Sequence, residues 1–200
     1  MRTSWAQLLD EVYACEKCRL RGGCNNVVPG EGRPDAELMF IGEGPGQEED
    51  AQGRPFVGRS GELLTRMIRA IGMERADVYI CNVVKCRPPR NRTPEPDEAE
   101  ACLNYLRAQV ALVRPKVIAL LGRTACRYTL GQDISITRAH GQWFEKKGVW
   151  FMPTYHPSAL LRDPAKKRDA WEDFQKLQAK LRELGALKEG TGEDAGERGT

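Results

Sequence analysis

"ELMFIGEGPGQEEDAQGRPFVGRSGELLTRMIRAIGM", residues 37–73, holds the repeating unit from which the fold can be built. Glu37 to Ile41 is a short, mostly apolar run ending at a glycine, which suits a buried strand. From Ser60 to Met73, Leu64, Met67, Ile68 and Ile71 fall on one face of a helix. A glycine-rich loop between strand and helix commonly cradles a phosphate. This one lacks the GK[ST] ending of a P-loop and does not read as GxGxxG followed by a ribose-binding acid. It carries Glu43, Glu48, Glu49 and Asp50 and no lysine. Pro45 and the glycines around it allow a flat ligand close to the backbone, and Glu43 would aim a carboxylate into that space.

The same alternation continues along the chain. "SWAQLLDEVYAC" places Trp5, Leu8, Leu9 and Val12 at helical spacing, and residues 19–36, rich in glycine and proline, read as loop. "DVYICNVV" (77–84) is a second strand by its β-branched and aromatic content. "CRPPRNRTPEP" is irregular because its prolines bar helix and central strand. "PDEAEACLNYLRAQVALVRP" is a helix with acidic residues in its first turn, where the macrodipole favours them. "PKVIALLG" is a third strand, "GRTACRYTLG" a short helix and "GQWFEKKGVWFMPTY" a hairpin whose second half is the last main strand. "DPAKKRDAWEDFQKLQAKLRELG" closes the domain as a long helix with Trp171, Phe174, Leu177, Leu181 and Leu184 inward.

Strands alternating with helices predict an α/β/α sandwich around a short, mostly parallel sheet, in one domain over residues 1–185. Ligands in such sheets bind at the carboxyl ends of the strands. Three unusual segments follow strands and should gather there: the acidic loop, residues 82–92, and "YHPSALLRDP".

The 200 residues carry a net charge of +3. The last fifteen hold Lys188 and Arg198 against Glu189, Glu193, Asp194 and Glu197, so the rest carries +5. That excess is compatible with a nucleic-acid partner. Residues 186–200, polar and glycine-rich, are expected to form a disordered tail. No run of about 18 apolar residues suggests a membrane span, and the N-terminus does not read as a secretory signal. The expectation is a monomer in the cytoplasm, with no membrane partner.

Seven cysteines in a chain expected in reducing conditions point to metal ligation or catalysis rather than disulfides. Cys15 and Cys18 form a CxxC pair, a spacing that lets two thiolates reach one metal. Cys81 sits in an apolar strand and Cys126 on a short helix, both suited to packing. Cys86 and Cys102 flank the proline-rich loop, where a metal would pin a segment with little structure of its own. Cys15, Cys18, Cys86 and Cys102 are the best quartet and Cys24 the competitor. Spacing alone does not choose zinc over an iron–sulfur cluster.

Three further residues stand out. Phe56 lies in "RPFVGRSG", outside any helical or strand pattern; Asn82 is the one amide in its strand; His156 sits at the mouth of the last strand. His140 reads as a surface or structural residue. "GEGPG", "RPFVGRSGELL", "CNVVKCRPPRNRTP" and "YHPSALLR", in this order and with the quartet, resemble the family 4 uracil-DNA glycosylases, the iron–sulfur branch of the uracil-glycosylase superfamily. The resemblance runs from about Cys15 to the closing helix.

That resemblance implies a [4Fe-4S] cluster on Cys15, Cys18, Cys86 and Cys102, and hydrolysis of the bond between uracil and deoxyribose, initiating base excision repair on uracil-containing DNA, single- or double-stranded. Phe56 would stack on a flipped uracil and Asn82 would read its O4/N3 edge. His156 would donate to O2, and Glu43 would orient water or stabilise the sugar cation. The catalytic set is then Glu43, Asn82 and His156. The pocket set adds Gly44, Glu49 and Phe56. The best-known branch has an aspartate at the place of Gly44 and a tyrosine at that of Gly46; Glu49 is expected to replace that tyrosine as the wall against the thymine methyl. No lysine in these motifs serves as a Schiff-base nucleophile, which implies hydrolysis without strand cleavage. "HPSALLRDPAKK" should form the loop that meets DNA, with Leu160 or Leu161 as a wedge and Ser158, Arg162 and Lys166 near phosphates. Arg87, Arg90 and Arg92 form a second basic patch. A sliding clamp is a conceivable partner. The competing classes are a metal-stabilised nucleic-acid-binding module without catalysis and a low-potential electron carrier.

Overall fold

Helix α1, Trp5–Tyr13, begins where Ser4 and Gln7 cap each other reciprocally, the Ser4 side chain taking the Gln7 N–H and the Gln7 side chain taking the Ser4 N–H. This computed structural model describes residues 4–187. A two-residue strand β1, Glu31–Gly32, follows, then β2, Leu38–Gly42. The acidic loop, expected to be irregular, contains a helix: α2, Gln47–Gln52, with three carboxylates in its first turn. Then come α3, Arg59–Ala70; β3, Tyr79–Asn82; α4, Pro96–Val113; and β4, Val117–Leu121. The second half holds α5, Arg123–Leu130; α6, Ile136–Ala139; β5, Phe144–Lys146; β6, Val149–Thr154; α7, Pro157–Arg162; and α8, Lys167–Glu183.

The six strands form one sheet in the order β1-β3-β2-β4-β6-β5. The inner four are parallel, and the short edge strands β1 and β5 pair antiparallel. Alternate side chains of β2 and β4 go to opposite faces. Met39, Ile41, Ile118 and Leu120 join Leu8, Val12 and the inner face of α4, while Leu38, Phe40, Val117, Ala119 and Leu121 join α3 and α8. Phe40 stacks on Phe174 with ring centroids 5.8 Å apart. The result is the expected α/β/α sandwich around a mostly parallel sheet.

Three expectations are corrected. Trp171 is 39% exposed, because the buried stripe of α8 runs through Ala170, Asp173, Phe174, Leu177 and Leu181 and leaves residue 171 to one side. The segment from Pro157, expected as a loop, is the helix α7, opened by proline at its first turn. Ala186 and Leu187, assigned to the tail, pack against the α3/α8 core, and the Ala186 N–H donates to the Leu181 oxygen at 2.8 Å. The remainder of the expected tail, from 188 onward, lies outside the described residues.

The proline-rich loop is held by one buried carboxylate. Glu98 accepts from both terminal nitrogens of Arg92 at 2.8 and 2.6 Å, from Arg19 Nε at 2.7 Å and from the Glu95 N–H at 2.8 Å. Arg92, foremost, holds the Glu98 carboxyl down at about 2, against the upward push of burial. Because this value lies below the ordinary 4.5, the anion's contribution is complete above 4.5 and is lost as pH falls toward about 2. Glu98→Gln is expected to lower the unfolding free energy at neutral pH by about 2 kcal/mol, and the gap to wild type should close through that acid window. Urea unfolding at both pH values measures it; equal stability at neutral pH would refute the assignment.

Candidate active site

The four parallel strands end at one level, and each delivers a residue to the same cleft of about 520 Å³. Glu43 follows β2, Asn82 ends β3, Gly122 follows β4 and His156 follows β6. The strand order reverses between β2 and β4, so the cleft lies at the topological switch point of the sheet. All six residues of the expected pocket line it: Glu43, Gly44, Glu49, Phe56, Asn82 and His156.

The four loop carboxylates have separate tasks. Glu43 is half-buried, and the Thr124 hydroxyl donates to its Oε2. Glu48 is exposed. Glu49 accepts three main-chain N–H groups, from Gly46 at 3.1 Å, Val57 at 2.9 Å and Gly58 at 3.0 Å. Asp50 is buried and takes the N–H groups of Asn25 and Asn26 and the Asn25 side chain, pinning the loop that precedes β1.

By holding Val57 and Gly58, Glu49 fixes Phe56, which sits at φ 51°, in a region side chains rarely occupy. The Phe56 ring is buried beside Gly42: a Cβ there would stand 2.6 Å from its Cζ and would also collide with Asn82 Oδ1. The ring lies 5.5 Å from the His156 ring. At Gly44 a Cβ would come within 2.7 Å of Val84 Cγ2, so no side chain fits unless Val84 moves.

Asn82 is 1% exposed, and neither its Nδ2 nor its Oδ1 has a hydrogen-bond partner. Buried amides are normally satisfied, so this unpartnered pair of atoms marks Asn82 as a candidate ligand contact. His156 is partly buried, and the Ser158 N–H, 3.2 Å away, donates to its Nδ1. That bond assigns the proton of a neutral ring to Nε2. Burial first, and Arg162 second, pull the His156 pKa down to about 4 against the opposing influence of Glu49, so the ring is neutral at neutral pH.

The residues expected to meet DNA divide. Leu160 is 1% exposed and packs with Tyr155 and Ala170, which removes it as a wedge; on α7 the partly exposed neighbour is Leu161. Ser158 is engaged with His156, its Oγ 2.8 Å from Nδ1. Arg162 is exposed at the cleft, and Lys166 pairs with Asp163 at 3.2 Å. Arg92 of the second basic patch is occupied by Glu98, and Arg87 Nε donates to Asn91, whereas Arg90 is exposed. His140 is structural: its Nδ1 lies 3.1 Å from the buried carboxylate of Asp173.

Sequence reasoning missed Thr124, Glu98 and Lys85. Thr124 could have been found, because it lies just beyond the carboxyl end of a strand. Glu98 and Lys85 carried no local signal.

A family model described as the uracil DNA glycosylase superfamily matches residues 29–175. This chain belongs to that superfamily. It is 48% identical over 183 residues to a type-4 uracil-DNA glycosylase of Sulfurisphaera tokodaii, covering 87% of this chain and 83% of the relative. A type-4 uracil-DNA glycosylase of Thermotoga maritima is 47% identical over 182 residues, covering 88% and 94%. One from Archaeoglobus fulgidus is 43% identical over 178 residues, covering 85% and 89%. No helix among the described residues of this superfamily member is long and apolar enough to cross a membrane.

All seven cysteines lie in or against one core cluster on the α1/α4 side of the sheet. Burial foremost, and then the neighbouring thiols, push the thiols of Cys86 and Cys102 up: Cys24, Cys102 and Cys18 act on Cys86, and Cys18 and Cys15 on Cys102. Among the described residues no three His, Cys, Asp or Glu side chains converge as ligands of a single metal ion. Cys126, in the same cluster, is wholly buried, and burial pushes its thiol up to about 12.

Proposed function

We propose that this chain is a monofunctional uracil-DNA glycosylase that binds a flipped deoxyuridine in the cleft and hydrolyses its N-glycosidic bond, leaving an abasic site. The observation that carries the reading is the buried Asn82 amide with both polar atoms unpartnered in the cleft. One donor and one acceptor side by side match the O4/N3 edge of uracil, and cytosine, with the two reversed, would leave buried groups unpaired. Extruding the base costs a few kcal/mol, and stacking on Phe56 would return about 1–3 kcal/mol.

Negative charge develops on the departing uracil while positive charge develops on the sugar. His156, neutral with its proton on Nε2, would donate to uracil O2, a bond that strengthens as the charge grows. Glu43 keeps one oxygen on Thr124 and the other for water or the cationic sugar. Glu49 is proposed as the wall against thymine: a side chain starting from Gly46 would meet its Oε2 at 2.7 Å, so its carboxylate fills the space a larger residue there would need. On α7, the exposed Arg162 would contact a phosphate and the partly exposed Leu161 the vacated stack.

The gathered thiols fit an iron–sulfur cluster better than a lone ion, which needs sulfurs about 2.3 Å from one point; a multi-iron cluster spreads its cysteines over separate corners. We assign a [4Fe-4S] cluster to Cys15, Cys18, Cys86 and Cys102, with Cys24 outside the ligand set. When bound, it would cross-link the CxxC segment, the proline-rich loop and α4.

Three outcomes are expected. Wild type releases free uracil from a uracil·guanine duplex, with alkali-labile abasic product, and Asn82→Asp does so at least about a hundredfold more slowly; no release by cluster-loaded wild type would overturn the function. Glu49→Ala begins to release thymine from a thymine·guanine duplex, while its uracil rate drops because the Phe56 loop loses its anchor; thymine as inert as in wild type would exclude the wall. Iron analysis finds Cys102→Ala depleted and Cys24→Ala fully loaded; the reverse pattern would place Cys24 among the ligands.

A further inference from the structure

Lys85 is the only fully buried lysine among the described residues, at 1% exposure. Its ammonium donates to the main-chain oxygen of Asn82 at 2.7 Å and to Gln109 Oε1 at 2.6 Å. No carboxylate among the described residues pairs with it, and burial lowers the pKa of its amino group, with Cys81 and Cys102 opposing. Burying an ammonium is unfavourable, and a position needing only packing would suit methionine or leucine better. The two oxygens it joins therefore define its role.

One of them belongs to the peptide from which the unpartnered Asn82 amide projects, at the point where β3 leaves the sheet. The other belongs to a side chain that is itself fixed: Gln109 Nε2 donates to the Pro29 oxygen at 2.7 Å and to Tyr79 Oη at 3.1 Å. Gln109 lies two turns after Cys102 on the buried face of α4.

We propose that Lys85 is a positioning residue for uracil recognition: it fixes the Asn82 peptide against α4, so that the helix carrying a cysteine of the proposed metal centre also sets the aim of the base-reading amide. This rests on the reading of Asn82 as the residue that contacts the uracil edge. A small rotation of that peptide would displace the donor and acceptor together, and geometric errors of about 1 Å at a reacting site can cost about a hundredfold in rate.

The test is a double-mutant cycle in the full-length protein as isolated: Lys85→Met, Asn82→Ala and the pair, with equal cluster loading checked by visible absorption. Two quantities are read: kcat and KM for uracil release, and the affinity for a duplex bearing a non-hydrolysable deoxyuridine analogue relative to the same duplex bearing deoxycytidine. Lys85→Met is expected to lower kcat about tenfold with KM nearly unchanged and to reduce the preference for the uracil duplex, but to add almost nothing in the Asn82→Ala background. Independent, multiplying effects would overturn the inference. If Asn82→Ala alone leaves rate and preference intact, the reading of the pocket fails instead. Should Lys85→Met not fold with normal loading, Lys85→Gln, which keeps a donor without the charge, runs the same cycle with the same deciding outcomes.

Discussion

The site depends on the register of β2 against β3, which sets Gly42 opposite Asn82. Pairing continues past the strands, with Val83 donating to the Gly42 oxygen and Val84 to the Glu43 oxygen. The carboxylate of Glu43 and the amide of Asn82 therefore leave the sheet side by side. The missing side chain at Gly42 creates the slot that the Phe56 ring fills. A one-residue slip would turn every side chain of the strand to the opposite face, and the site would be lost along with the core. Catalytic geometry and hydrophobic burial are thus enforced by the same ladder.

How much of this the sequence disclosed follows from the range of the forces involved. The alternation of apolar strands and amphipathic helices is local, and it placed the parallel sheet and the hairpin at Lys147 and Gly148, both at positive φ. The motifs at strand ends placed Glu43, Phe56, Asn82 and His156 because a parallel sheet brings its carboxyl ends together. Side-chain facing on α7 and α8 was harder. Leu160 and Leu161, or Ala170 and Trp171, are adjacent in sequence and differ only in the turn of the helix, so a shift of one residue exchanges core for surface. The roles of Glu98 and Lys85 depend on Arg92, Arg19 and Gln109 as well as on nearer backbone groups, and those three lie 6 to 79 residues away, which no local pattern encodes.

The acidic loop shows one residue type serving two different ends. Asp50 and Glu49 accept main-chain N–H groups that no strand or helix would otherwise satisfy, and each such bond contributes about 1 kcal/mol or more when the acceptor is charged. Their work is to hold the loop. Glu43 instead receives one hydroxyl and faces the cleft with lone pairs free, which suits the role proposed for it. A lysine in this loop would form ion pairs with these acids and pull them from the backbone. The absence of a phosphate-binding cation and the excess of carboxylates are thus one feature.

Asn82 and Lys85 show how such a site can be kept open at a cost the fold tolerates. Leaving a buried donor and acceptor unpaired is destabilising by about 1–3 kcal/mol per group, and a free amide in that state would turn toward any backbone group within reach. Its peptide is restrained because the main-chain oxygen accepts from Lys85, and the Phe56 ring fills the space above Gly42. The amide then has one remaining way to be satisfied, a ligand edge with the complementary pair of atoms. On the proposed reading of Asn82, selectivity would follow from rigidity: a mobile amide could rotate by half a turn and accept cytosine, whereas one that projects from a fixed peptide beside the Phe56 ring has less freedom to do so.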